Sequence, residues 1–311
     1  MEDLSSQHRR LSDVFDWEAP PEQYQLDDTR IASFHETGFL QGVRVLTYDQ
    51  VDRLRAELEP LLDPSHPSRA LFHEYHANES ADPGRILVHA LGAWRISPAF
   101  HDLVWNLAVV VPASQLLGGA IRLWHDQLFV KPPRQGGVVA WHQDYSYWTR
   151  TEPMAHLTCW IPLDDADEES GCLQYVPGSH RWDLLPITGL AADVNDMNAI
   201  DDVLTPEQRR AFQPVPMSLE RGVASFHHPL TVHGSLPNTS PRPRRAVALN
   251  FCLDGTKSAT NEPLLDGIPV IPKGEPLRGQ FFPLVYDPFR RRARGSNSSK
   301  RCRFRETRRH P

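Results

Sequence analysis

Cysteine is scarce in this chain: four in 311 residues, at Cys159, Cys172, Cys252 and Cys302, with no C-x-x-C pair. That excludes a zinc ribbon or a thioredoxin-type motif and points to free thiols in a reducing compartment, hence a cytoplasmic protein. Long apolar runs are missing too. None approaches 18 residues, which excludes a membrane-spanning helix. The first residues, MEDLSSQHRR, hold no apolar stretch of the secretory kind. Positive charge is sparse outside the C-terminus. The formal net charge is −6, but residues 290–311 carry ten Lys/Arg against one acid, Glu306, which leaves 23 basic and 38 acidic side chains before them. So acidic a body does not suit nucleic acid as a partner and leaves a small organic molecule as the expected one.

Proline and glycine are plentiful, at 28 and 18 residues, which disfavours a helical bundle and suits loops between short strands. Residues 1–27, with Pro20-Pro21, read as a loosely held polar arm. Residues 28–285 read as one domain, and 286–311 as a basic, disordered tail. Thr47-Tyr-Asp-Gln50 is a capping-box pattern, and Val51, Leu54, Leu58, Leu61 and Leu62 follow at helical spacing. Ser97-Pro98 opens a second helix, which Phe100, Leu103, Val104, Leu107 and Val111 carry to Leu117 before Gly118-Gly119. From residue 121 onward the period changes. Strand-length apolar runs at 121–131, 137–142, 156–163, 171–176, 222–228 and 245–253 are separated by turn residues, with a helical excursion near 205–213. Helices first and strands later, without βαβ alternation, predict a mainly β protein with flanking helices, a β-sandwich or jelly roll.

The sharpest local feature is Trp141-His142-Gln143-Asp144. In an extended segment His142 and Asp144 point to one face. They supply two ligands of the 2-His-1-carboxylate set that holds Fe(II) and leaves open positions. A third ligand must come from far along the chain, and His227, His228 and His233 are the candidates. Arg244, eleven residues after His233, offers a planar fork suited to clamping a carboxylate. A 2-oxo acid chelating the metal would present such a group.

Three blocks, KPPRQGGVVAWHQDYSYW (131–148), CWIPLDDADEESGCLQYVPGSH (159–180) and VHGSLPNTSPRPRR (232–245), resemble the phytanoyl-CoA dioxygenase family of Fe(II)/2-oxoglutarate-dependent oxygenases. The resemblance runs from about residue 30 to 255. It implies a double-stranded β-helix (a cupin-like jelly roll), with His142, Asp144 and His233 as iron ligands. It also implies Arg244 on the 5-carboxylate of 2-oxoglutarate, assisted by Ser235, with Gln143 and Trp160 lining the co-substrate pocket. Arg242 and Arg245 flank Arg244, so spacing alone singles it out. Retention of Asp144 implies hydroxylation or desaturation rather than halogenation.

By the same resemblance O2 is consumed, succinate and CO2 are released, and an unactivated C–H of a small substrate is hydroxylated. Tyr145 and Trp148, beyond the ligand Asp, are expected near the substrate, as are Gln127 and Lys131, which share a strand face. The run 142–148 is similar to that of ectoine hydroxylases, but Thr149-Arg-Thr-Glu-Pro-Met154 departs from their pattern, so ectoine is not the expected substrate. The acidic run 164–169 reads as a solvated turn, and His227-His228 as structural. Two other classes compete: a cupin-type metal-binding jelly roll with non-oxygenase chemistry, which has no need of Arg244, and a non-catalytic interaction protein working through its Arg-rich tail.

Overall fold

The computed structural model describes residues 2–80, 82, 84–187, 197 and 199–290, so the expected tail lies outside the described residues from 291 onward. Two antiparallel sheets face each other. The larger has eight strands, in the order Phe39–Arg44, Val223–His227, His156–Pro162, Arg244–Leu253, Ile121–Lys131, Val88–Leu91 and Glu74–His76, with Leu284–Tyr286 added beside Ile121–Lys131. The smaller runs Val139–His142, His233–Ser235, Leu173–Tyr175, Val215–Pro216. The architecture is a jelly roll, as the strand pattern predicts. Each of the six expected runs contains a strand, with ends displaced by at most two residues.

Helices back the outer face of the large sheet. Tyr48–Leu61 begins at a complete capping box, in which Thr47 accepts from the Gln50 amide and the Gln50 side chain accepts from the Thr47 amide. Its Val51, Leu54, Leu58 and Leu61 are buried in the main core with Leu123, Leu157, Leu249 and Phe251 of the sheet. Each such side chain contributes roughly 1.5–3 kcal/mol by leaving water. The single helix expected from Pro98 to Leu117 is in fact two, Pro98–Leu103 and Leu107–Leu117. Asn106 separates them because its side chain accepts from the Ala108 amide, capping a new helix in place of continuing the old one.

The N-terminal segment corrects a second expectation. It is not loose. The Asp102 carboxylate accepts from the amides of Leu11 and Ser12, Arg95 pairs with Asp3 at 2.5 Å, and Phe15 is buried in the main core. A polar arm held through buried charged partners carries little apolar periodicity for the sequence to show.

A buried histidine, His73, and a half-buried one, His228, make this packing acid-sensitive. Burial pushes His73 and His228 down to about 4, from an ordinary 6.5. The unfolded chain therefore takes up protons below pH 6.5 that the folded chain refuses until about pH 4. Stability is fully present above 6.5 and falls as pH drops through that window, at up to about 1.4 kcal/mol per pH unit for each residue. Urea midpoints measured at pH 7.5, 6 and 5 are expected to decline in that order, and to decline less in His73→Gln.

Candidate functional site

Strand alternation assembles the site between the sheets. On the large sheet, every second residue of four adjacent strands points into the gap, and register lines these residues up in rows. His227, Thr158, Asn250 and His125 form one row; Ser225, Trp160, Ala248 and Gln127 the next; Arg244 faces Lys131 at the far end. The small side chains of Ala246 and Ala248 keep this floor low. From the small sheet, His233 sits directly opposite His142 in the antiparallel register, and Ser235 follows two residues on, on the same face. Gly234 between them has a structural reason. A Cβ there would lie 2.9 Å from the Val139 carbonyl and 3.3 Å from the Trp141 ring.

His142, Asp144 and His233 meet. All three are buried, with ligand atoms within 4.8 Å of one another. The His142 Nδ1 donates to the Ala140 carbonyl at 2.8 Å and the His233 Nδ1 to the Thr231 carbonyl at 2.9 Å. A carbonyl only accepts, so each Nδ1 carries the proton and each Nε2 is left as a bare donor for a metal. Those two Nε2 atoms lie 3.4 and 3.5 Å from the same oxygen, Asp144 Oδ1. Burial opposes charge on Asp144, but His233, His142 and His227 outweigh it and hold the carboxyl well below the usual range. Burial, reinforced by His142, keeps His233 neutral. Two bare imidazole nitrogens and a carboxylate oxygen on one point are the donor set that Fe(II) takes.

The other carboxylate oxygen is tied down. Asp144 Oδ2 accepts from Thr158 Oγ1 at 2.6 Å and from His227 Nε2 at 3.0 Å, and the His227 Nδ1 meets the Tyr175 hydroxyl at 2.9 Å. His227 is thus a brace on the ligand carboxylate, and Thr158 links onward to Asn250 at 2.8 Å. The sequence reading missed Thr158, Tyr175 and Asn250, and weighed His227 as a third-ligand candidate and as structural but not as a brace. The alternation Ser225, His227 on a strand facing Thr158 is the signal that would have found the brace.

Beyond the triad lies a cavity of about 450 Å³, lined among others by Trp160, Ser235, Arg244 and Gln127. Arg244 is 1% exposed and has no acidic partner within salt-bridge distance among the described residues. Burial lowers its guanidinium to about 10, which still leaves it charged at neutral pH. Its NH2 group is 3.4 Å from Ser235 Oγ, and its plane lies 5.6 Å from the Trp160 ring centre. Two donors here have no hydrogen-bond partner, Arg244 Nε and Trp160 Nε1. Such orphaned, buried donors beside an unpaired cation fit an incoming carboxylate. The flanking arginines are elsewhere: Arg242 pairs with Asp167 at 2.6 Å near the surface, and Arg245 with Asp164 at 2.8 Å.

Not every expected residue reaches the cavity. Gln143 does not line it, because its neighbours His142 and Asp144 take the inward face and alternation turns it outward. Its amide donates to Leu230 O and accepts from Leu185 N. Lys131 is fully buried behind Ser235, donating to Ser235 Oγ at 2.7 Å and to Leu236 O at 2.6 Å. Burial and then Arg244 hold its ammonium well below the usual lysine range. Tyr145 points away and donates to Thr151 O. Gln127 and Trp148 do line open space: Gln127 borders both the inner cavity and a second chamber, and Trp148 borders that chamber.

Comparison with known proteins agrees with this geometry. Residues 34–246 match the family model for phytanoyl-CoA dioxygenase. A probable alpha-ketoglutarate-dependent hypophosphite dioxygenase of Stutzerimonas stutzeri is 33% identical over 172 residues, 54% of this chain and 56% of that protein. The peroxisomal phytanoyl-CoA dioxygenase of Rattus norvegicus is 25% identical over 247 residues, 74% of this chain and 72% of the rat protein. Among solved structures, the non-heme alpha ketoglutarate dependent carbocyclase SnoK from nogalamycin biosynthesis superposes with a TM-score of 0.68 at 26% identity, covering 86% of this chain and 99% of SnoK. The chain belongs to the phytanoyl-CoA dioxygenase family.

Proposed function

We propose that this chain is an Fe(II)- and 2-oxoglutarate-dependent dioxygenase that hydroxylates an unactivated C–H of a small organic substrate. The observation that carries the reading is the pair of bare Nε2 atoms and the carboxylate Oδ1 converging beside an unpaired, buried arginine. His142, Asp144 and His233 hold the metal. Arg244 and Ser235 take the distal carboxylate of the co-substrate, with the Trp160 Nε1–H as a further donor and Lys131 fixing the Ser235 hydroxyl from behind. Residues 28–285 form the domain that does this work.

Bound iron(II) with 2-oxoglutarate and O2 supplies the chemistry: the 2-oxo acid is decarboxylated to succinate and CO2, and one oxygen atom goes to the substrate C–H. The residues do the rest. His227 and Thr158 hold Asp144 Oδ2 so that Oδ1 faces the two imidazoles. The Ala140 and Thr231 carbonyls keep both imidazoles in one tautomer. The apolar faces of Phe129, Val139 and Leu173 restrict water in the inner cavity. A cytoplasmic setting is supported by three free, buried cysteines, Cys159, Cys172 and Cys252. No helix among the described residues is long and apolar enough to cross a membrane.

The test is spectroscopic. Anaerobic addition of Fe(II) and then 2-oxoglutarate is expected to produce a visible metal-to-ligand charge-transfer band, and admission of O2 to release succinate. Absence of the band would move the cupin-type reading ahead.

A further inference from the structure

The second chamber, about 1070 Å³, opens beside the inner cavity and shares Gln127 and Asp144 with it. Its walls differ in chemistry. One is apolar and aromatic: Trp124, Trp148, Tyr147, Leu264 and Leu265. The other is built by Glu74–His76 and Val88–Leu91, which pair so that His76 faces His89, and by Glu79 just beyond.

That second wall holds a carboxylate and an imidazole in close contact. His89 is 5% exposed and the Glu79 side chain 12% exposed, and His89 Nδ1 lies 2.9 Å from Glu79 Oε2. The contact is close but off the line of a hydrogen bond, so the imidazole answers only part of what the carboxylate can accept. The His89 ring is held flat against Phe129, 4.7 Å between centres, and its Nε2 lies 3.4 Å from Gln127 Nε2. The imidazole is therefore held in place rather than free to turn away from Glu79. A largely buried carboxylate that meets only one imidazole has acceptor capacity left over, and a ligand cation can use it. The chamber's other charges agree. Glu74 adds a second carboxylate at the rim. Arg150, the one arginine there, donates to the Pro263 and Leu264 carbonyls at 2.7 and 3.0 Å.

Resting on the iron and 2-oxoglutarate reading above, we propose that the chamber takes a compact organic cation. Its ammonium group is held by Glu79, its body lies against Trp148 and Trp124, and Glu79 is the residue that selects it. Aromatic faces add to the attraction of a desolvated cation.

The probes are three molecules of one shape: cyclohexylammonium, cyclohexanol and cyclohexanecarboxylate. Each is titrated by calorimetry at pH 7.5 into the full chain given Fe(II) and 2-oxoglutarate without oxygen, and the charge-transfer band is recorded on the same sample. Cyclohexylammonium is expected to bind at least about tenfold more tightly than either analogue. The isosteric Glu79→Gln is expected to erase that preference while leaving the band unchanged, and the rim variant Glu74→Gln to reduce it less. Equal binding of the three, binding of none, or an undiminished preference in Glu79→Gln overturns the proposal. A band without the preference sinks this inference alone. The preference without a band sustains it and sinks the iron reading.

Discussion

Asp144→Ala is expected to abolish iron retention and succinate release together. His142 and His233 would remain, each with its Nε2 bare, but the oxygen 3.4 and 3.5 Å from them would be gone. Removing a group that only orients a ligand typically costs 10–100-fold in metal affinity or activity, so loss of the ligand itself should exceed about 100-fold. The variant also strands a neighbour. The buried His227 Nε2 loses its acceptor, whereas Thr158 Oγ1 can still donate to Asn250 Oδ1. That predicts a stability loss of about 1–3 kcal/mol for the one unsatisfied group. Asp144→Asn separates the two effects. Its amide oxygen can still accept from Thr158 or His227, so folding should be largely retained while metal binding is not. Equilibrium dialysis of Fe(II) and urea unfolding on both variants check this. Full iron retention in Asp144→Ala would refute the triad.

Arg244→Met is expected to act in opposite directions with and without co-substrate. In the unliganded chain Arg244 is an almost fully buried cation with no acidic partner within salt-bridge distance among the described residues, and Lys131 lies opposite it in the register. Replacing such a charge with an apolar group of similar volume is often neutral or stabilising by about 1–4 kcal/mol. The unliganded melting temperature should therefore hold or rise. The dissociation constant of 2-oxoglutarate should rise by roughly two to three and a half decades, the 3–5 kcal/mol typical when one partner of a buried ion pair is removed. Arg244→Lys should recover only part of this, because a point charge cannot reproduce the fork. Thermal melts and co-substrate titrations of the charge-transfer band read the two effects separately. Arg242→Met, by contrast, removes a surface pair with Asp167 and should change neither by more than a few tenths of a kcal/mol.

The sequence makes the metal site readable because its parts sit in short motifs on extended backbone. His142 and Asp144 share a face by alternation, and the His233-Gly-Ser235 block repeats the arrangement on the neighbouring strand. Gln143 is misplaced by resemblance to the family, although the same alternation already turns it away. What could not be read depends on register between distant strands. His227, Thr158 and Asn250 stand 69 and 92 residues apart in sequence steps from one to the next, yet form one row because three strands pair in one alignment. The second chamber was equally hidden. Glu74–His76 and Val88–Leu91 are three and four residues long, too short for any period to emerge, and Glu79 lies between them in irregular chain. The large-sheet strands Ile121–Lys131, His156–Pro162, Val223–His227 and Arg244–Leu253 are legible for the opposite reason: strand-length apolar runs between prolines and glycines announce themselves.

Leu264 and Leu265, which close the second chamber, lie past residue 246, where the family match ends, and Arg150 fastens that stretch by gripping the Pro263 and Leu264 carbonyls. The enzyme therefore divides its labour along the chain. The reacting centre comes from paired strands whose register tolerates little change. Part of the surface proposed for the substrate comes from short pieces outside that centre, Glu74 and Glu79 before it and Leu264 and Leu265 after it, while Trp124 and Trp148 supply the rest from beside the reacting centre. Changes in the outlying pieces touch no metal ligand, so the charge of the accepted molecule can be altered with the triad left as it is.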